Sequence, residues 1–397
     1  MSKPSLLGRV FGAIWNTITW VRLALANLVF LLMLGVIYFV YFAGSTEPLP
    51  EQAALLINPM GTIVDQKSPV DPLQTLVAAP SPADHEVLVR DVIEAIRLAK
   101  DDDRINSLVM ELGSLMYVGI SRTQEIVVAL EEFKTSGKPV VAVGDYFSQD
   151  QYLLASYADE LIAHPIGGAA LEGFSMYHNF YAEALDKLSV SMHVFRAGEY
   201  KAAAEPYLRS DMSTVQKSNA LEWLEDLWAS YTSTVEANRE LPSGAVDAYV
   251  NGYASRLVAG DGDSAKDALD AGLIDQLLTR SQANEYLSDM VGARNEDGGY
   301  EAVAFEKYLW NQRTLKIPGT GEPKVAVIVA QGNMLPGDQS PGTIGADSLA
   351  TMISKTAADE SVKAIVLRVT TPGGSMFASE IIRQQILEVR ATGTPVV

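Results

Sequence analysis

Within this chain, one stretch can be laid over another far downstream, and that self-similarity limits the fold more than any other feature. DDRINSLVMEL (Asp102 to Leu112) matches DESVKAIVLRV (Asp359 to Val369), 257 residues further on. Each begins with an acidic turn and continues into an apolar run, Leu108-Val109-Met110 against Ile365-Val366-Leu367. Short apolar runs bounded by turn signals suit strands buried in a parallel sheet. Helix-like segments precede both, with Val92 and Ile96 matched by Leu349 and Ile353 at the same offset. After the strands, Ile126, Leu130 and Phe133 mark one helical face. They recur as Ile382, Ile386 and Val389, now 256 residues apart. Both helices lead to a Gly-x-Pro-Val-Val exit, Gly137 to Val141 and Gly393 to Val397. Any two strand-helix-strand units look alike, but a shared offset across helix, strand, helix and exit is a stronger signal. It predicts a duplicated α/β unit with parallel strands and right-handed crossovers.

At 397 residues the chain is too long for one compact domain and fits two. The first copy runs from about Leu55 to Val303, inside a domain taken as 52–310. Pro318, Gly319, Gly321 and Pro323 mark a linker over 311–323, and the second domain, 324–397, opens at Val325. Val396-Val397 matches Val140-Val141, the start of a buried strand, so the second domain is expected to be incomplete and the sequence a fragment.

Leu23 to Ala43 is a run of 21 residues whose one strongly polar member is Asn27. That length spans a hydrocarbon core of about 30 Å as a helix. Lys3, Arg9 and Arg22 precede it, and no acid follows until Glu47. The positive-inside bias therefore predicts a cytoplasmic N-terminus (1–22), a transmembrane anchor (23–43) and the bulk of the chain on the far side. A cleaved signal peptide is the alternative, against which Tyr41 stands where a small residue is wanted. Trp15, Trp20, Tyr38 and Tyr41 suit the two interfaces.

The net charge of −19 argues against nucleic acid as a partner, since phosphate binding needs clustered Lys and Arg. There are no cysteines, which excludes a Cys nucleophile, thiolate metal sites and disulfides. His85, His164, His178 and His193 are scattered, none in a metal-ligand spacing.

Thr371-Pro372-Gly373-Gly374-Ser375 directly follows the strand expected over Ala364 to Val369 and precedes a helix beginning near Phe377. Such a junction offers free backbone N–H groups to an oxyanion or a phosphate. Alone, a Gly-Gly pair is more often a tight turn. The matching place in the first copy, Gly113 to Tyr117, lacks the paired glycines, so the copies diverge at the loop where chemistry would sit.

At this point the chain resembles the protease IV family of signal peptide peptidases, in its long, duplicated bacterial form. The resemblance covers nearly the whole chain and rests on VFRAGEYKAAAEPYLRSDMS (Val194 to Ser213), SGKPVVAVGDYFSQDQYLLASYADEL (Ser136 to Leu161), KDALDAGLID (Lys266 to Asp275) and AIVLRVTTPGGS (Ala364 to Ser375). It implies tandem Clp-protease/crotonase-like domains behind an N-terminal transmembrane helix. It implies a Ser/Lys dyad with the base in the first copy, at Lys201, and the nucleophile in the second. It places oxyanion-hole glycines at Gly373 and Gly374. The family's usual Asn-Ser before Pro-Gly-Gly is here Thr370-Thr371, a tolerable change if backbone amides do the work. The family's serine lies in an Ala-Ser-Gly-Gly stretch beyond the Pro-Val-Val exit, so no nucleophile is expected in this chain. Gln149 and Asp150 stand near the matching place in the first copy, which should therefore be inert.

The resemblance further implies cleavage of signal-peptide remnants at the bacterial inner membrane, with the bulk of the protein periplasmic, a homotetramer, and no cofactor or metal. Two other functions fit the same fold: a non-catalytic membrane scaffold or regulator, and, less well, a crotonase-type acyl-CoA enzyme, whose cytoplasmic substrate conflicts with an outward location. A lysine base must be largely neutral near pH 7, whereas a free lysine titrates at about 10.4. Closing that gap takes about 4 kcal/mol, normally supplied by desolvation. Tyr200, Ala202, Ala203, Ala204, Pro206 and Tyr207 are expected to form an apolar pocket, with Glu199 and Glu205 turned away. Ser375 suits a helix cap and Ser379 a helix surface. In the helix expected over Val215 to Ala237, Trp223, Leu227 and Tyr231 form one stripe suited to packing.

Overall fold

A computed structural model describes residues 6–38, 48–69, 85–198, 200–315 and 322–397. The chain divides into two units, Met1–Leu49 and Pro50–Val397. The first contains one helix, Leu6–Tyr38, of which Trp15–Tyr38 is long and apolar enough to cross a membrane. Such a helix is compatible with a membrane anchor or a signal sequence. It begins well before the apolar run expected from Leu23, because no proline interrupts residues 6–22. The last residues of that run, 39–43, lie outside the described residues.

The second unit is α/β with parallel strands. In chain order they are β1 (Ala53–Ile57), β2 (Gly61–Val64), β3 (Glu86–Leu88), β4 (Ile105–Glu111), β5 (Leu115–Tyr117), β6 (Val140–Phe147), β7 (Glu160–Ala169), β8 (Gln276–Leu277) and β9 (Ala302–Ala304) before residue 316. After residue 321 come β10 (Lys324–Gln331), β11 (Met334–Leu335), β12 (Ile344–Gly345) and β13 (Val362–Thr370). The main sheet has the order β8-β7-β6-β4-β1-β9, and a small sheet has the order β3-β2-β5. Ala54, Val109, Val141 and Ile162 pack against Ala283, Leu287 and Val291 of the helix Arg280–Val291. Leu55, Leu108 and Val140, which alternate with them, are fully buried as well. Both faces of the sheet are therefore covered, which explains why these strands read as unbroken apolar runs.

The order β1-β4-β6 has a parallel after residue 321. There β10 pairs with β13, and Val396 bridges Ile365 on the far side of β13. Leu108 N–H donates to Pro139 O at 2.9 Å, and Ile365 N–H donates to Pro395 O at 2.9 Å. The exit glycines Gly137 and Gly393 both take left-handed conformations, φ 78° and 98°, which let the chain turn back sharply into the next strand. The small sheet has its parallel in β12-β11, with Met334 bridging Gly374. The helix pairs agree too: Val89–Lys100 packs on Ile120–Lys134, and Ala346–Ala357 packs on Met376–Ala391. Val92, Ile96, Ile126, Leu130 and Phe133 are buried, as are Leu349, Ile353, Ile382 and Val389, while Ile386 is partly so.

Two expectations read differently in the structure. The helix Phe305–Leu315 extends into the segment assigned to the linker from 311, and Arg313 anchors it by pairing with Asp91 at 2.6 Å and Glu94 at 2.5 Å. The helix expected over Val215 to Ala237 is Thr214–Asn238, but of its stripe Tyr231 is buried, Leu227 half-buried and Trp223 exposed.

The acidic turn that opens each matched strand has a structural task. Asp102 Oδ1 accepts from Arg104 N and Nε, and Oδ2 accepts from Arg104 Nη2, Tyr308 Oη and Gln312 Nε2, all within 3.1 Å. Asp359 accepts from Ser361 N and Oγ and pairs with Lys324 at 2.9 Å. Arg104 above all holds the Asp102 carboxyl down at about 2, and Ser361 above all does the same for Asp359. Because the folded value for Asp102 lies below the unfolded 3.8, its contribution is complete above that value and fades as pH falls from about 4 to about 2. Asp102→Asn should cost about 2 kcal/mol in urea unfolding at pH 7, and the gap to the parent protein should close across that acid window.

Candidate active site

The Gly373–Gly374 turn is fixed by backbone contacts with the neighbouring strand and its continuation. β13 runs parallel to β10 as far as Gln331 and Thr370, where Gly332 N–H donates to Thr370 O at 3.0 Å. Met334 then takes both sides of the glycine pair: its N–H donates to Gly373 O at 3.0 Å and its O accepts from Ser375 N–H at 2.9 Å. A Cβ on Gly374 would lie 2.2 Å from Met334 O, so only glycine fits there. The sixteen-residue helix Met376–Ala391 starts directly afterwards, capped by Ser375 Oγ accepting from Ala378 N–H at 3.3 Å. Ser379 Oγ donates back to Ser375 O at 3.1 Å. Both serines thus hold the helix start together.

The two amides of the turn differ. Gly373 N–H donates to Thr371 Oγ1 at 3.0 Å, whereas Gly374 N–H has no acceptor among the described residues. A free N–H just ahead of a helix start can donate to an anion. Thr371, one of the two residues departing from the family pattern, occupies the Gly373 amide.

Lys201 lies elsewhere, in the irregular stretch between the helices Ala182–Lys187 and Glu205–Leu208. Its side chain passes over Gly198, whose missing Cβ would sit 3.7 Å from Lys201 Cγ. Arg196 Nη1 donates to Lys201 O at 3.2 Å. Lys201 lines a groove of about 470 Å³ whose walls also include His178, Phe180, Pro206, Met212 and Gln216. Glu205 is engaged by Ser213, accepting from its N–H at 3.0 Å and its hydroxyl at 2.6 Å. Ser213 thereby holds that carboxyl below the usual range. Glu199 lies outside the described residues. The expected apolar enclosure is not closed in the single chain: Lys201 and Tyr200 are exposed, and Tyr207 is drawn aside to stack on Tyr181 at 5.9 Å. Lys201 lies in a groove lined by residues 178–219, a lining that does not include Gly373 or Gly374. Among the described residues, no group of three His, Asp or Glu is placed to hold a metal ion.

The matching junction in the first half shows what residue 150 does. Asp150 Oδ2 accepts from Val118 N–H at 3.2 Å and from Gly119 N–H at 3.3 Å, immediately before the helix Ile120–Lys134. A fixed carboxylate thus fills two amides here; 256 residues on stand Gly374, whose N–H has no acceptor among the described residues, and Ser375, whose N–H donates to Met334 O. Gln149 is spent on the neighbouring strand end, accepting from Glu172 and Gly173 N–H groups at 2.9 and 2.8 Å. The available sequence signal was the capping box Ser148-x-x-Gln151, which starts the helix Gln149–Ala155 and aims Asp150 across the loop.

Residues 132–294 match peptidase family S49. The chain is 38% identical over 390 residues to "Protease 4" of Salmonella typhi, and 35% identical over 392 residues to "Protease 4" of Haemophilus influenzae. Each match covers 96% of this chain but 62% and 63% of the relative, so the chain spans under two thirds of their length. It is 24% identical over 290 residues to "Serine protease SPPA, chloroplastic" of Arabidopsis thaliana, covering 72% of this chain and 41% of that protein. The chain thus carries a match to peptidase family S49 over residues 132–294 and is similar along nearly its whole length to two proteins called "Protease 4".

Proposed function

We propose that this chain is the larger part of a membrane-bound serine endopeptidase that degrades cleaved signal peptides with a Ser/Lys dyad. The observation that carries the reading is the Gly374 N–H: a donor without an acceptor, on a turn clamped by Met334, in a chain similar to two proteins called "Protease 4". In this reaction a serine hydroxyl attacks the scissile carbonyl while the neutral Lys201 amine takes its proton. The oxyanion settles on Gly374 N–H, joined by Gly373 N–H when Thr371 swings aside, and Lys201 then gives the proton to the leaving amine. In this reading the attacking serine lies beyond the Pro395-Val396-Val397 exit.

Two copies of one ancestral unit share the labour in this reading, the first (52–310) bringing the base and the second (from 324) the oxyanion donors. The paired orders β1-β4-β6 and β10-β13-Val396 support it, as do the matching hydrogen bonds to Pro139 and Pro395. The first copy is inert because Asp150 fills its amide pair. Lys201 needs desolvation that the lone chain does not supply, and Tyr177, Phe195 and Tyr200 stand exposed in the same segment. A second copy packed on that segment would supply the desolvation, which supports a homo-oligomer, in this reading a tetramer held on the periplasmic face of the inner membrane by the N-terminal helix.

In the full-length protein, Lys201→Ala should lower peptide turnover by roughly 10²- to 10⁴-fold without unfolding it, as expected for loss of a general base. Retained turnover would remove Lys201 from the mechanism. Asp150→Ala should cost roughly 1–3 kcal/mol of stability through the two orphaned amides, yet leave kcat within twofold. A large loss of kcat in the folded variant would mean that the first copy takes part in the chemistry.

A further inference from the structure

In the proposed reaction the base comes from before residue 316 and the oxyanion donor from after residue 321. Whatever joins these halves sets the distance between the two groups, so the following inference rests on that reading. Among the described residues, the side-chain polar contacts between the halves converge on one guanidinium. Arg368 Nη1 donates to Glu125 Oε2 at 2.9 Å, and Nη2 donates to Glu125 Oε1 at 2.5 Å. Nη2 also lies 2.9 Å from Asp65 Oδ1. The Asp65 carboxylate is only 4% exposed, and its other oxygen accepts from Arg122 Nε and Nη2 at 3.1 and 2.9 Å. Asp65 follows β2, while Arg122 and Glu125 lie on the helix Ile120–Lys134. Two cations and two anions thus alternate in one cluster, of which only Arg368 belongs to the second half.

We propose that Arg368 is a positioning residue, locking the strand that carries the Gly373–Gly374 turn onto the half that carries Lys201. Arg368 stands in β13, two residues before Thr370, where backbone contacts to Gly332 and then to Met334 take over and clamp the turn. The strand end, the turn and the helix start therefore form one rigid piece, and the arginine is its polar tether to the first half. The forked guanidinium suits the task, because two parallel bonds to one carboxylate fix direction as well as distance. The tether is also particular to this half. The residue 257 positions earlier is Glu111, which accepts from Tyr300 Oη at 2.8 Å within the first half. Asp65 Oδ1 is buried and lacks an aligned hydrogen bond even with Arg368 beside it, so losing the arginine leaves a bare buried oxygen at the joint.

The test uses the full-length protein, a peptide substrate and titration of the active serine with a fluorophosphonate, so that rates are stated per competent site. Arg368→Lys keeps the charge and loses the fork, while Glu125→Gln keeps Arg368 and its contact with Asp65 as the gentler variant. Each should lower kcat per titrated serine by roughly 10- to 100-fold with KM within about twofold, as a displacement of about 1 Å does. The acid limb of the kcat/KM profile should move as well, because the surroundings of the base change with its distance from the turn. Variants that unfold at lower temperature but keep kcat per titrated serine and the same acid limb would overturn the proposal and leave Arg368 a structural residue. If Lys201→Ala retained turnover, the dyad itself would fall, and the positioning role with it.

Discussion

Where a parallel strand turns into a helix, the backbone N–H groups of the turn need an acceptor from protein or water. This chain meets that constraint twice, in opposite ways. At Val118 and Gly119 the acceptor is built in, a single oxygen of Asp150 reaching both amides. At Gly374 none is provided, although Met334 holds the turn on both sides with backbone hydrogen bonds and leaves room only for glycine. The first junction is closed and structural. The second is exposed and open to solvent, and in the proposed reaction it is where the oxyanion would be stabilised.

What the sequence made legible is what repeats. Strand positions, both helix pairs and the Gly-x-Pro exits follow local periodicity; the apolar strand residues are buried in the first half, whereas Val325 and Val327 of β10 and Val366 and Val369 of β13 are exposed, against the expectation of a buried strand. The Thr371 to Ser375 turn was legible for the same reason, being a strand end, a glycine pair and a helix start in a row. Contacts between distant residues were not. The capping box at Ser148 announces the helix that carries Asp150 but not that its side chain will reach residues 118 and 119, and nothing in LRV announces that Arg368 will meet Glu125 and Asp65. The expected pocket around Lys201 failed on a related ground. Apolar neighbours in sequence enclose a side chain only if the backbone curls around it, and here that stretch is irregular, with Tyr207 turned to Tyr181. The early start of the N-terminal helix was missed because the expected span followed hydrophobicity alone, whereas helix continues wherever no residue breaks it.

These features fit a division of labour in which neither half suffices. The amine lies on an exposed arm of the first half and the anion donor on a clamped turn of the second, and the Arg368 cluster connects the halves a few residues before that turn. In the proposed reaction such a site would depend on assembly: the half-to-half joint would set spacing, and covering the arm would set the environment of the amine.

The most direct measurement is a structure of the full-length protein with a peptidyl boronate bound to its active serine. The account predicts a boronate oxygen about 3 Å from Gly374 N and Lys201 Nζ about 3 Å from the serine oxygen, hydrogen-bond distances in both cases. An adduct whose oxygen is bound by other donors, with Lys201 still facing solvent, would contradict it.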